Sequence, residues 1–423
     1  MSRRNAELGL IILVVILSLG AYLMGEFATR NTIPAGFFSY AAAVAGLAAV
    51  AHIAVRRLAP NADPLLLPVA LMLSGLGYAM VRRLNPALAT PQLSWILLGI
   101  VAFIATLAIL RDARRVESFR YSFMVAGLAL LLLPLAPHIG RTVSGARLWV
   151  RVGSLNFQPA EGAKILLAAF LAGYLASKRE VLTSATTRLG PWMIPAPRHF
   201  GPLVLAWGVS LAVMVFERDL GSSMLFFALF VVMIYAATAR AAYVVTGIGL
   251  FAGGTYFAYQ SFAHVQGRIQ AWIDPWSRIN TSGFQIAQSL FALGTGGIAG
   301  AGLGRGRPDL IRRGVETDFI FAAFGEELGL IGTIAILLLF AVLVARGFHI
   351  ALRSRDTFAT LLATGLTVIV GFQTFLIIGG VTRLIPLTGI TLPFVSYGGS
   401  SILANFILIA VLMRLSDSEA RAT

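Results

Sequence analysis

The sequence predicts an all-α protein that crosses a membrane many times, and two observations carry that prediction. The 423 residues have a mean hydropathy of +0.84, with 58% hydrophobic and only 12% charged side chains, a balance far outside that of soluble domains. Apolar stretches long enough to cross a hydrocarbon core of about 30 Å recur along the chain. They are read as helices because lipid leaves no open sheet with a satisfied backbone.

Spans are predicted near residues 8–24, 35–55, 64–81, 91–110 and 121–137 and, after a polar loop, near 162–177, 202–216, 222–238, 241–260, 317–346, 355–380 and 391–414, about twelve in all. Those at 202–216 and 222–238 are short for a span. The first run, Leu8 to Met24, follows Ser2-Arg3-Arg4 as in a signal peptide, but it has no small-residue cleavage site and further spans follow. It is read as a retained helix. An inside N-terminus puts Arg56, Arg57, the Arg111 to Arg120 cluster, Lys178, Arg179, Arg240, Arg353, Arg355 and Arg414 in the cytoplasm, with both termini there. No soluble domain or fixed-period repeat appears. Residues 1–423 read as one integral membrane domain, with N-terminal helices over 1–137, a body over 138–415 and a large outer loop over 261–316.

The net charge of +15 would suggest nucleic acid in a soluble protein. Here it reads as topogenic arginine and contact with anionic lipid headgroups, so no nucleic-acid partner is predicted. Without cysteine there is neither a disulfide framework nor a thiolate site. The histidines, His52, His138, His199, His264 and His349, are too dispersed for a metal site, and no cofactor is predicted, with divalent-cation assistance left open.

The outer loops, 137–161, 261–316 and 379–390, carry Arg141, Arg147, Arg151, Arg268, Arg278, Arg305, Arg307, Arg312, Arg313 and Arg383. Arginine on that side calls for another cause, and an anionic ligand is the simplest, although long loops also translocate regardless of charge. In the stretch from Gly283 to Gly332, glycine-dense sequence beside arginines offers a seat for phosphate, or a solvated surface loop.

Glu161 and Lys164 share one face at a helix start, either meeting a diphosphate or pairing to lock the helix end. Asp219, ahead of Leu220-Gly221-Ser222-Ser223, reads as an N-cap or structural pair, with proton handling the alternative. Asp274 stands between Trp272 and Trp276 and is either a general base or an Asp-Pro turn. Between Gly380 and Phe406, Pro386, Gly389, Pro393, Gly398 and Gly399 break a span and bring Ser396, Tyr397, Ser400 and Ser401 to membrane depth, which implies a polar cavity.

Taken in order, GARLWVRVGSLNFQPAEGAK, RDLGSS, GFQIAQSLFALGTGGIAGAGLG, TDFIFAAFGEELGLIG and PLTGITLPFVSYGGSS resemble the RodA/FtsW (SEDS) family over Gly145 to Leu415. The GRGRPD wording is similar to RodA-like members of actinobacteria. The family implies a body of about ten helices, here with an extra N-terminal pair. It further implies a multi-pass protein of the bacterial cytoplasmic membrane that polymerises lipid II into glycan strands at the outer face, for elongation and cell shape. The implied partner is a class B penicillin-binding protein transpeptidase. A lipid II flippase and a non-catalytic scaffold for that partner are the alternatives.

By this resemblance Asp274 is the catalytic base. Arg147, Glu161, Lys164, Arg305, Arg307, Gln285, Gln288, Ser396 and Ser400 bind substrate, and Asp219, Asp318, Glu326 and Glu327 are structural or proton-handling. The chain departs from the family in the loop before Gly283-Phe284-Gln285: the first of two family aspartates falls on Asp274 and the second, usually held essential, on Arg278.

Overall fold

The computed structural model describes residues 3–422 except 35, 113, 138, 144–145, 153–154, 185–186, 190–191, 195–204, 206–207, 210, 213–214 and 218. His138, Gly145, His199 and Arg218, and most of the predicted span at 202–216, lie outside the described residues.

The chain opens with α1 (Arg3–Arg30), α2 (Phe37–Leu58), α3 (Leu66–Leu84) and α4 (Ala89–Ile109), each over a predicted apolar run. A short α5 (Arg114–Ser118) and α6 (Arg120–Leu132) lead into an antiparallel sheet of β1 (Gly140–Val143), β2 (Ala146–Val152) and β3 (Leu155–Phe157). The all-helical expectation misses this small sheet. Its signal is nonetheless present: Arg147, Trp149 and Arg151 alternate with Leu148, Val150 and Val152, a period of two. Next come α7 (Pro159–Ser184), a hairpin of β4 (Thr187–Leu189) and β5 (Trp192–Ile194), α8 (Leu220–Thr238) and α9 (Ala241–Ser261). Two shorter helices, α10 (Ala263–Ile273) and α11 (Phe284–Gly296), occupy the predicted outer loop ahead of α12 (Ile320–Arg353), α13 (Thr357–Val381) and α14 (Gly399–Ala422). Among the described residues eight helices are long and apolar enough to cross a membrane, where the hydropathy predicts about twelve spans over the whole chain.

The last span starts at Gly399 rather than near residue 391. Residues 391–398 stay out of the helix because the Ser396 hydroxyl accepts from the Leu392 N–H at 2.9 Å and donates to the Thr317 carbonyl at 2.6 Å, while Phe394 takes a positive φ of 64°.

The described chain forms two compact units. The first comprises Met1–Arg111, Ala263–Arg346 and Gln373–Thr423. In it α1 packs on α3, and α14 runs along α4. Lipid tails are as apolar as leucine, so close packing has to hold these helices, and small residues permit it. A Cβ on Gly399 would sit 2.0 Å from the Trp95 ring. At the outer end Tyr22, Tyr40 and Tyr78 cluster, with Tyr40 stacked on Tyr78 at 4.4 Å. Arg82 lies over Tyr22 and pairs with Glu26 at 2.9 Å. At the cytoplasmic end Arg414 donates to the terminal carbonyl of α2, Leu58 O, at 2.8 Å and to Leu107 O of α4, capping two helices whose last carbonyls lack partners of their own.

The second unit comprises Asp112–Phe262 and Gly347–Phe372. There α7 packs on α6 and α8 on α7, around Leu131, Ala163, Leu167 and Phe226.

Candidate functional site

In the first unit the glycine-dense stretch has a definite seat. α12 is broken at Gly329, whose φ of 68° and ψ of −165° are not helical. The backbone freed by that break is taken up by the incoming loop: Ala301 N–H donates to Glu326 O and Gly302 N–H to Glu327 O, both at 2.9 Å, and Leu330 N–H donates to Gly297 O at 2.9 Å. Such an approach leaves no room for side chains, since a Cβ on Gly300 would lie 2.3 Å from Glu327 O. The buried carboxylates complete the seat, Glu327 accepting from Gly304 N–H at 2.8 Å and Glu326 from Arg307 N–H at 2.7 Å. These glycines serve backbone packing at the break, and the amides of Gly302, Gly304 and Arg307 are already bonded, which leaves the arginine side chains as the groups open to an anion. The side chains of Arg305 and Arg307 remain exposed. Arg307 shares an exposed ion pair with Asp309 at 3.2 Å, which raises its pKa. Arg278, Arg305 and Arg313 make no side-chain hydrogen bond or ion pair among the described residues and are exposed.

Asp274 follows directly on α10. Its Oδ1 accepts from the Trp276 and Ser277 N–H groups, each at 3.2 Å, and it is exposed. Hydrogen bonds from Ser277, then from Trp276, and the charge of Arg383 hold its pKa below the usual carboxylate value, so it is ionised at neutral pH. The turn geometry and an available carboxylate thus coexist. Arg383 donates to Trp272 O at 2.8 Å and Ile273 O at 2.5 Å, capping the end of α10, and Arg268 donates to Thr388 O at 2.9 Å. These guanidinium groups shape the outer rim by holding backbone carbonyls.

Around the broken segment, Ser396 is buried and spends its hydroxyl on Leu392 and Thr317. Ser400 is buried. Asp318 and Arg268 flank Gly389, where a Cβ would lie 3.7 Å from Asp318 Oδ2 and 3.6 Å from Arg268 Nη2. On α11 Gln285 donates to Arg313 O at 2.5 Å and Gln288 is half-buried.

The second unit holds the other predicted residues. Arg147 on β2 donates to Ala136 O at 2.9 Å. Glu161 and Lys164, in the first turns of α7, form a buried pair at 2.5 Å. Asp219 caps α8, Oδ1 accepting from Ser222 N–H at 2.9 Å and Oδ2 from the Ser222 hydroxyl at 2.6 Å. Sequence reasoning missed Glu26, Arg82 and Arg83 at the outer ends of α1 and α3. The Arg-Arg pair closing α3 was the available signal. Among the described residues no group of His, Asp or Glu side chains is gathered where it could hold a metal ion.

The fold and this outer rim define a multi-pass membrane protein with ionisable groups at a helix break and at its outer turns. The FtsW/RodA/SpoVE cell cycle protein model matches residues 63–421, and the chain belongs to that family. It is 45% identical over 432 residues to the peptidoglycan glycosyltransferase RodA of Mycobacterium tuberculosis strain H37Rv, covering 99% of this chain and 92% of that protein. It is 34% identical to a probable peptidoglycan glycosyltransferase FtsW of Geobacter metallireducens, covering 84% of this chain and 94% of that protein. Among solved structures, Thermus thermophilus RodA matches with a TM-score of 0.60 at 25% identity, over 84% of this chain and 96% of that one. A chain from a peptidoglycan synthase complex shares the fold, with a TM-score of 0.68 at 24% identity over 85% of this chain and 98% of that one.

Proposed function

We propose that this protein is a peptidoglycan glycosyltransferase that polymerises lipid II at the outer face of the bacterial cytoplasmic membrane, serving cell-wall elongation and shape beside a class B penicillin-binding protein. The observation that carries this reading is the near full-length 45% identity to RodA glycosyltransferases. In the proposed reaction the ionised Asp274 carboxylate takes the proton of the acceptor sugar's 4-hydroxyl. The oxygen attacks the anomeric carbon of the donor, the bond to the polyprenyl diphosphate breaks, and that centre inverts. Arg305 and Arg307, exposed on a fixed turn of the first unit, would meet the departing diphosphate. Arg147 and Lys164, in the second unit, are separate proposed anion-binding residues. In the first unit Gln285, Gln288, Ser396 and Ser400 would line the substrate's path, while Asp318, Glu326 and Glu327 hold the fold around it; in the second unit Glu161 is a proposed substrate-binding residue and Asp219 a structural one.

A flippase would use a broken helix with backbone groups free for its cargo. At Gly329 those groups are bonded to residues 297–302, which favours catalysis over transport. The test is a gel assay with purified full-length protein, a class B penicillin-binding protein and labelled lipid II. Glycan polymer that disappears with Asp274→Asn is the expected result. Lipid movement across vesicles without polymer would establish the flippase, and neither activity would leave a scaffold.

A further inference from the structure

Arg83, in the last turn of α3, takes no part in the chemistry described so far. Its Nη2 donates to Gly306 O at 2.9 Å and lies 3.2 Å from Glu327 Oε1. The other oxygen of Glu327 holds the Gly304 N–H at 2.8 Å, and Glu326 holds the Arg307 N–H at 2.7 Å. The turn 304–307 is therefore gripped on its amides by two carboxylates and on a carbonyl by one guanidinium.

The outer end of α1 closes the same turn. Gly304 has a φ of 80°, and a Cβ there would stand 2.5 Å from Gly25 O and 3.0 Å from the Ala28 Cβ. α1 is tied to α3 one residue from Arg83, by the Glu26–Arg82 pair. Beside this contact α1, α3 and α12 border a half-open apolar cleft of about 390 Å³ lined by Met24, Met72, Leu303 and Phe324 among others, with Arg83 and Glu327 at its wall. The turn is thus bordered on one side by a cleft, where the charged grip is the contact that fixes it. Both α1 and α2 precede the family-matched residues 63–421.

We infer that Arg83 is a positioning residue for the proposed glycosyl transfer: with Glu327 and the outer end of α1 it fixes the 304–307 turn and so aims the Arg305 and Arg307 guanidinium groups at the donor diphosphate. The added N-terminal helix is then a brace for a substrate-facing loop. This rests on the proposed activity, but half of its test does not.

Hydrogen exchange on the full-length protein in lipid nanodiscs reads the turn directly. In Arg83→Met the Gly302 to Arg307 amides exchange about tenfold faster, while peptides from α4 and α14 keep wild-type rates. Arg83→Lys, which keeps a charge against Glu327, gives an intermediate result. Ala28→Leu, which crowds Gly304 from α1, loosens the turn without touching Arg83 and covers the case in which Arg83→Met fails to insert. In lipid II polymerisation, Arg83→Met and Ala28→Leu raise KM about tenfold with kcat within about twofold, the split for lost binding that is equal in the ground and transition states. Unchanged exchange at 302–307 in both variants overturns the brace. Faster exchange with an unchanged KM overturns the positioning role. A wild-type protein that makes no polymer removes the glycosyltransferase reading and the positioning role with it, while exchange still decides the brace.

Discussion

Glu326 Oε1 accepts the backbone N–H of Arg307 at 2.7 Å, so a buried carboxylate on a membrane-crossing helix holds a residue of the outer loop. A hydrogen bond to a charged group contributes about 1.5–3 kcal/mol. Glu326→Ala should lower stability by about that amount, whereas Glu326→Gln, which keeps a carbonyl acceptor, should lose less. Thermal unfolding of the purified variants checks the order. Equal loss in both would mean that the charge, not the acceptor, matters.

Asp274 supplies a pH prediction. Its pKa is drawn below the usual carboxylate value by the Ser277 hydrogen bonds. A lowered carboxylate is protonated only at more acid pH, so any stability it contributes is present above the unfolded-chain value of about 3.9 and is lost as pH falls through the lower folded value. A polymerisation rate that needs the ionised form should therefore show no acid limb from Asp274 above about pH 4. Asp274→Asn should cost at least about 100-fold in rate at neutral pH. A pH–rate profile with an acid midpoint near 6 would assign the base to another group.

The buried Glu161–Lys164 pair separates two roles. Removing one partner of a buried pair leaves an uncompensated charge and costs about 3–5 kcal/mol, so Lys164→Met should be strongly destabilised. The double variant Glu161→Gln with Lys164→Met should regain most of that stability. If it also regains polymerisation, the pair is a lock on the start of α7. If it folds but stays inactive, Lys164 meets the diphosphate.

Asp219 caps α8 through Ser222. Asp219→Ala should cost about 1 kcal/mol, the usual worth of an N-cap, and Asp219→Asn much less because an amide oxygen also accepts. Activity below the unfolding temperature should be unaffected in both. An Asp219→Asn protein with wild-type stability and no activity would instead point to proton handling.

Much of the helical architecture was legible because a hydrocarbon core demands long apolar runs, and α1, α2, α4, α9 and α13 fall where the hydropathy places them. The sheet at β1 to β3 was passed over, since its strands are short and lie between stronger helical signals. The cap at Asp219 and the pair at Glu161 and Lys164 were among the readings open in the sequence because the partners sit within one turn of each other. The Gly296 to Gly306 region was harder. Its glycines answer to Glu327 O and the break at Gly329, and nothing in the local pattern distinguishes such packing from a ligand cradle.

By itself the sequence determined that this chain lives in a membrane and which family its motifs join, because burial in lipid and short-range spacing act along the chain. Only the tertiary structure decided that Glu326 and Glu327 grip the glycine turn and that Arg383 and Arg268 spend their donors on carbonyls. It also decided that Arg83 and α1 close over Gly304. Each of these depends on backbone groups left unpaired at a helix end or break, and which distant side chain satisfies them is fixed only when the helices pack.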